Sequence, residues 1–120
     1  MSVEPVAAMA AALSGALRLV DGVRHQEFLG DDVDPPATVL LPPTLTWEAY
    51  VPEPTAAVWQ VALVVPADER ALALLWALRP RVTAALDDVM DVAVIRAEPG
   101  TFPVGSVELP AYLITLECGL

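Results

Sequence analysis

The segment VWQVALVV, residues 58–65, constrains this chain more than any other stretch. As a strand it places Trp59, Val61, Leu63 and Val65 on one face and Val58, Gln60, Ala62 and Val64 on the other, because successive strand side chains point to opposite sides. Both faces are apolar. A sheet built on such a strand needs cover twice, once from the chain's own helices and once from something else. A neighbouring copy is the expected second cover.

Size and composition sharpen that expectation. A chain of 120 residues is read as a single domain, 1–120, with a real core and little to spare. Its hydrophobic fraction is 56%, above the ~45–50% usual for soluble domains. No stretch offers the roughly 18 uninterrupted apolar residues of a membrane span. The best run, PVAAMAAALSGALRLV, is broken by Ser14, Gly15 and Arg18, and Glu4 stands where a secretory signal would be basic. The expectation is a soluble subunit that buries surplus apolar surface by assembling. Net charge is −10, with six arginines and no lysine. Phosphate binding needs clustered cations, and Arg18, Arg24, Arg70, Arg79, Arg81 and Arg96 are scattered along the chain. Direct nucleic-acid binding is therefore not expected. One cysteine, Cys118, excludes an intrachain disulfide and suits a reducing compartment.

Periodicity and punctuation give the element order. A helix is expected over residues 3–17, capped by Ser2, with Pro5 in its first turn and Val6, Met9, Leu13 and Val20 as its apolar stripe. A strand over 23–29 leads to an acidic turn, GDDVDPP. A short strand, 37–41, should end at Pro42–Pro43. Residues 44–51 alternate, with Leu45, Trp47, Ala49 and Val51 on one face, and form a hairpin with 56–65. Asp68 caps a second helix over 69–88 that buries Leu72, Leu75, Trp76, Val82 and Leu86 and kinks at Pro80 near Trp76. DVAVIRA is a strand, 98–110 a turn-rich excursion, and 111–120 a final strand. The fold class is α+β: two helices packed on a mainly antiparallel sheet, in the order α-β-β-β-β-α-β-β.

Catalytic chemistry has little to work with, and no enzyme, cofactor or metal site is expected. The lone His25, beside Arg24 and Glu27, reads as a surface residue. One histidine and one cysteine support neither a zinc site of ordinary ligands nor a nucleophile pair. Asp31, Asp32 and Asp34 lack the spacing and closing glutamate of a calcium loop and read as a solvated turn. Gly100 and Gly105 are turn glycines without a strand-to-helix context. Cys118 reads as a packed thiol, Trp76 as core, and Trp47 with Trp59 as cross-strand hairpin neighbours that reach an interface. The candidate subunit or partner interface comprises Trp47, Tyr50, Trp59, Arg79, Arg81 and Phe102.

The runs LPPTLTWEAYV and EPGTFPVGSVELPAYLITLE, with the strand-to-helix junction VVPADER, carry a family likeness. Through them, and through its Ala-rich opening helix, nearly the whole chain resembles small neck proteins of long-tailed bacteriophages, especially those infecting actinobacteria, and most of all their tail terminators. The resemblance implies a compact α/β subunit assembling as a homo-oligomer, a hexameric ring, at the head-proximal end of the tail tube. Such a ring stops addition of tail tube protein and offers its other face to the head-completion protein, while DNA passes through the lumen. It also implies a place in the virion, after assembly in the host cytoplasm, and no membrane. Six copies at −10 would carry about −60, which favours passage of DNA over adhesion if acids line the lumen. Rival readings are a head-completion or connector adaptor of the neck and, in a different class, a small module holding an apolar ligand between helix and sheet.

Overall fold

The computed structural model describes residues 4–27 and 33–120. Helix α1 (Pro5–Arg18) is followed by strands β1 (Arg24–Glu27), β2 (Ala37–Thr46) and β3 (Ala56–Val64), helix α2 (Ala71–Asp87), and strands β4 (Val92–Val104) and β5 (Val107–Gly119). The five strands form one sheet in the order β1-β2-β3-β5-β4. Only the four-residue β1 runs parallel to its neighbour; the other pairs are antiparallel. The class is α+β, two helices on a mainly antiparallel sheet, as the periodicity requires.

A carboxylate caps the first helix and only precedes the second. Ser2 lies outside the described residues; at α1 the Glu4 carboxylate accepts from the N–H groups of Val6 and Ala7, at 3.1 and 2.8 Å. Pro5 follows at the first helical position, where a missing N–H costs nothing. At α2 the Asp68 carboxylate accepts from the Arg70 N–H at 2.8 Å. That bond makes a turn ahead of the helix rather than a cap on it, so α2 starts at Ala71, two residues later than expected. The helix runs through Pro80 as one element. Proline removes the donor that would reach the Trp76 carbonyl, and Trp76 lies on the exposed side of the helix, where water can take that donor's place.

Three strand expectations change. The segments 37–41 and 44–51 are not two strands. β2 runs continuously through Pro42–Pro43, with a register shift between Leu41 and Thr44 that absorbs the prolines, and it ends at Thr46. Residues 47–51 therefore belong to the β2–β3 loop. The expected excursion 98–110 is the far half of a long β4–β5 hairpin that turns at Gly105–Ser106. Glycine leads this two-residue loop with φ +61°, the arrangement that matches strand twist. Pro99 and Pro103 fit because β4 is an edge strand, where an absent N–H breaks no inner ladder.

Both helices lie on the same side of the sheet. Leu13, Leu17, Leu75, Leu78, Val82 and Leu86 meet Trp59, Val61, Leu63, Ile114 and Leu116 in the main core. The opposite face of β3 does not wait for a neighbour, contrary to expectation. Ala62 and Val64 are fully buried in a second cluster with Val33, Ala37, Val39, Phe102 and Ala111. The far half of the β4–β5 hairpin supplies Phe102 to that cluster, flanked by Val104 and Leu109. Cover thins toward the other end of the same face, where Val58 is half-buried and Gln60 and Glu117 are exposed.

Candidate functional site

Two of the expected interface residues are interior. Trp59 is 1% exposed, and its indole N–H donates to Cys118 Sγ at 3.1 Å across β3 and β5. It sits opposite Leu116, and on its other side β2 passes through the Pro42–Pro43 irregularity, so Trp47 is not its cross-strand neighbour. Phe102 is 5% exposed in the second cluster. Neither has surface left to offer a partner. Cys118 is the packed thiol expected from its strand face, and burial pushes its pKa up against the opposing pull of the Trp59 and Ala57 donors.

The other aromatic pair is presented outward. Trp47, Tyr50 and Val51 are exposed on the loop between β2 and β3, with Tyr50 fully so. Backbone bonds pin the base of the loop: the Thr55 N–H donates to the Thr46 carbonyl at 2.8 Å, and the Leu120 N–H to the Thr55 carbonyl at 3.0 Å. A Glu48–Val51 turn shapes its tip, and Tyr50 there takes φ +68°. For a bulky residue that left-handed backbone costs of order 1 kcal/mol or more. Pro52 and Pro54 stiffen the return, and Glu48 and Glu53 are the charges the loop carries.

A second surface lies between α2 and β4. Four of the six arginines, Arg70, Arg79, Arg81 and Arg96, fall on α2, its N-terminal flank and β4. Helix α2 buries Ala71, Leu75, Leu78, Val82 and Leu86, while Leu72 and Trp76 are exposed, Trp76 at 60%, against the expectation that both are core. Trp76, Pro80, Thr83 and Asp87 border a groove of 710 Å³ whose opposite wall is Val94, Arg96, Ala97 and Tyr112. Arg79 lies along it and donates to the Thr83 hydroxyl at 3.4 Å. Arg96 pairs with Glu98 at 2.9 Å, both side chains exposed, a pair worth at most about 1 kcal/mol. Arg81 is not with Arg79. Two positions apart on a helix point to nearly opposite sides, and Arg81 lines a separate cleft against α1 with Leu19, Asp21 and Val89.

His25 is not the surface residue expected. Its ring sits half-buried, Nδ1 2.9 Å from the Thr38 hydroxyl and Nε2 3.0 Å from the Ser14 hydroxyl, and both hydroxyls are fully buried. The ring ties α1, β1 and β2 together, and it lines none of the clefts described here. Of the acidic turn, Asp31 and Asp32 lie outside the described residues, and Asp34 pairs with Arg24. Among the described residues no three metal-ligating side chains converge, and no helix is long and apolar enough to cross a membrane. Two surfaces stand out among the described residues: an acidic aromatic loop, and a groove that sets Trp76, Pro80 and Tyr112 beside arginines and Asp87. The groove's Trp76, Arg96 and Tyr112 escaped the sequence reading. Its one legible sign was that α2 carries more apolar positions than a single buried stripe needs. No protein-family model matches the chain, and a search of curated proteins finds no match.

Proposed function

We propose that this protein is a structural subunit of a phage neck: a tail terminator that assembles as a ring on the head-proximal end of the tail tube, stops tube growth and receives the head-completion protein. The observation that carries the proposal is the loop around Tyr50, with two exposed aromatics on a pinned and stiffened base, in a chain whose interior is already filled. Exposed aromatics on a rigid mount suit a contact that other subunits bury. The resemblance of LPPTLTWEAYV and EPGTFPVGSVELPAYLITLE to terminators supplies the setting. An apolar-ligand module is less well supported, because Trp59, Leu17, Leu86 and Ile114 fill the space between helices and sheet. Deleting the gene from the phage that carries it tests the proposal by electron microscopy of the lysate. Overlong tails without heads are expected. Tails of normal length beside tail-less heads would instead assign the adaptor role, and normal virions would reject both.

A further inference from the structure

We infer that the loop 47–54 of one copy docks into the α2–β4 groove of the next, so that copies join head to tail. This rests on the ring reading for the identity of the occupant, a second copy of the chain. Charge favours the pairing. No arginine or lysine occurs between Arg24 and Arg70, so the loop offers only Glu48 and Glu53. The groove holds Arg79 and Arg96 together with Asp87. Arg96 is already paired with Glu98, whereas the Arg79 guanidinium has only the Thr83 hydroxyl as a hydrogen-bond partner among the described residues. Loop against loop would oppose carboxylates, while loop into groove sets Glu48 and Glu53 beside Arg79. The apolar chemistry agrees. Tyr50 is fully exposed at the tip, and the groove gives it Trp76 and Pro80 for apolar contact, with Arg79 lining the same groove. Two different patches meeting make a heterologous contact, which generates a closed ring when its rotation closes.

The test is cross-linking combined with charge reversal, read on the full chain. Tyr50→Cys protein mixed with Ala84→Cys protein, Ala84 being an exposed residue of the groove, should give a covalent dimer with a short bismaleimide. Neither protein alone should do so, since Cys118 is buried. Arg79→Glu should weaken self-association in sedimentation at least ~10-fold, as should Glu48→Arg with Glu53→Arg; combining all three should restore most of it. These positions are exposed, so circular dichroism should be unchanged. An oligomer that forms without the cross-link and ignores the reversals overturns the inference and leaves the ring reading standing. A wild-type chain that stays monomeric at every concentration and gives no cross-link also overturns it. Rescue by the triple variant in a protein whose deletion leaves tail length normal would keep the head-to-tail contact and remove the neck role.

Discussion

Tyr50 holds a left-handed backbone that its side chain does not favour, at a place where nothing in the fold requires a tyrosine. Glycine there would relieve the strain at the cost of more freedom in the unfolded chain. Tyr50→Gly should leave stability unchanged or raise it by up to about 1 kcal/mol. The same substitution should lower self-association, so denaturant midpoint and sedimentation would move independently. If both fell together, the loop would belong to the fold rather than to a contact. The His25 ring makes the opposite prediction. His25→Phe keeps an aromatic ring but takes the imidazole from two buried hydroxyls, at a cost of about 1–3 kcal/mol by urea denaturation. Adding Ser14→Ala should recover part of that loss, because the stranded hydroxyl is gone. Cys118 titrates above the ordinary thiol range because burial disfavours its thiolate. The native state therefore holds this proton more tightly than the unfolded chain. Its contribution to stability is complete below the unfolded thiol pKa and declines as pH rises through the folded one. Modification by a disulfide reagent at pH 8 should track global unfolding, and fast labelling of the native protein would contradict the buried placement.

At the scale of elements, α2 separates folding from contact. Its inner stripe, Ala71, Leu75, Leu78, Val82 and Leu86, faces the sheet, and Leu86→Ala should cost about 2–5 kcal/mol. Its outer Leu72 and Trp76 touch mainly solvent, so Trp76→Ala should shift stability by about 0.5 kcal/mol or less. In the head-to-tail arrangement it should still weaken association. Periodicity found the helix and three of its five buried residues, Leu75, Val82 and Leu86, but ranked Leu72 and Trp76 inside, because size and apolarity look the same on either stripe. Register decides between the two, and register comes from the sheet. The same limit explains β3. Its two apolar faces were legible, yet the cover for the second lies across the sheet in Phe102, a residue whose proline- and glycine-rich surroundings read as a turn. Prolines mark edge strands as readily as loops, and β4 is such an edge. At Pro42–Pro43 the signal that ordinarily ends a strand is absorbed by a register shift, so two segments became one. Trp47 and Tyr50 were expected on a strand of a hairpin; they are exposed, but on the loop that follows β2. Arg79 and Arg81 were legible as cations but not as residues on different sides of a helix.

For the whole molecule, apolar surplus and charge act against each other. Most of both sheet faces is sealed within one copy, so in the proposed ring the drive to associate would come from exposed side chains such as Trp47, Tyr50, Leu72 and Trp76, with Leu19, Met90 and Ile95 elsewhere on the surface, rather than from a bare sheet. Against it stands a charge of −10 on every copy. The described residues extend 51 × 29 × 26 Å, so side-by-side neighbours sit about 30 Å apart. A screened Coulomb estimate for two such charges gives a repulsion of about 5 kcal/mol at 10 mM salt and below about 0.5 kcal/mol near 0.15 M. Salt also weakens the arginine–glutamate contacts, but those are short, partly shielded once the groove is filled, and few. Repulsion is the long-range quantity and gives way first. Self-association should therefore strengthen by two to three orders of magnitude, ~10²–10³, between 10 mM and 0.15 M sodium chloride, and change little more up to 1 M, where apolar contact carries the joint. A contact held by ion pairs alone would weaken steadily over the same range. Sedimentation velocity across a salt series distinguishes the two, and a monotonic loss of assembly would remove the apolar loop from the centre of the interface.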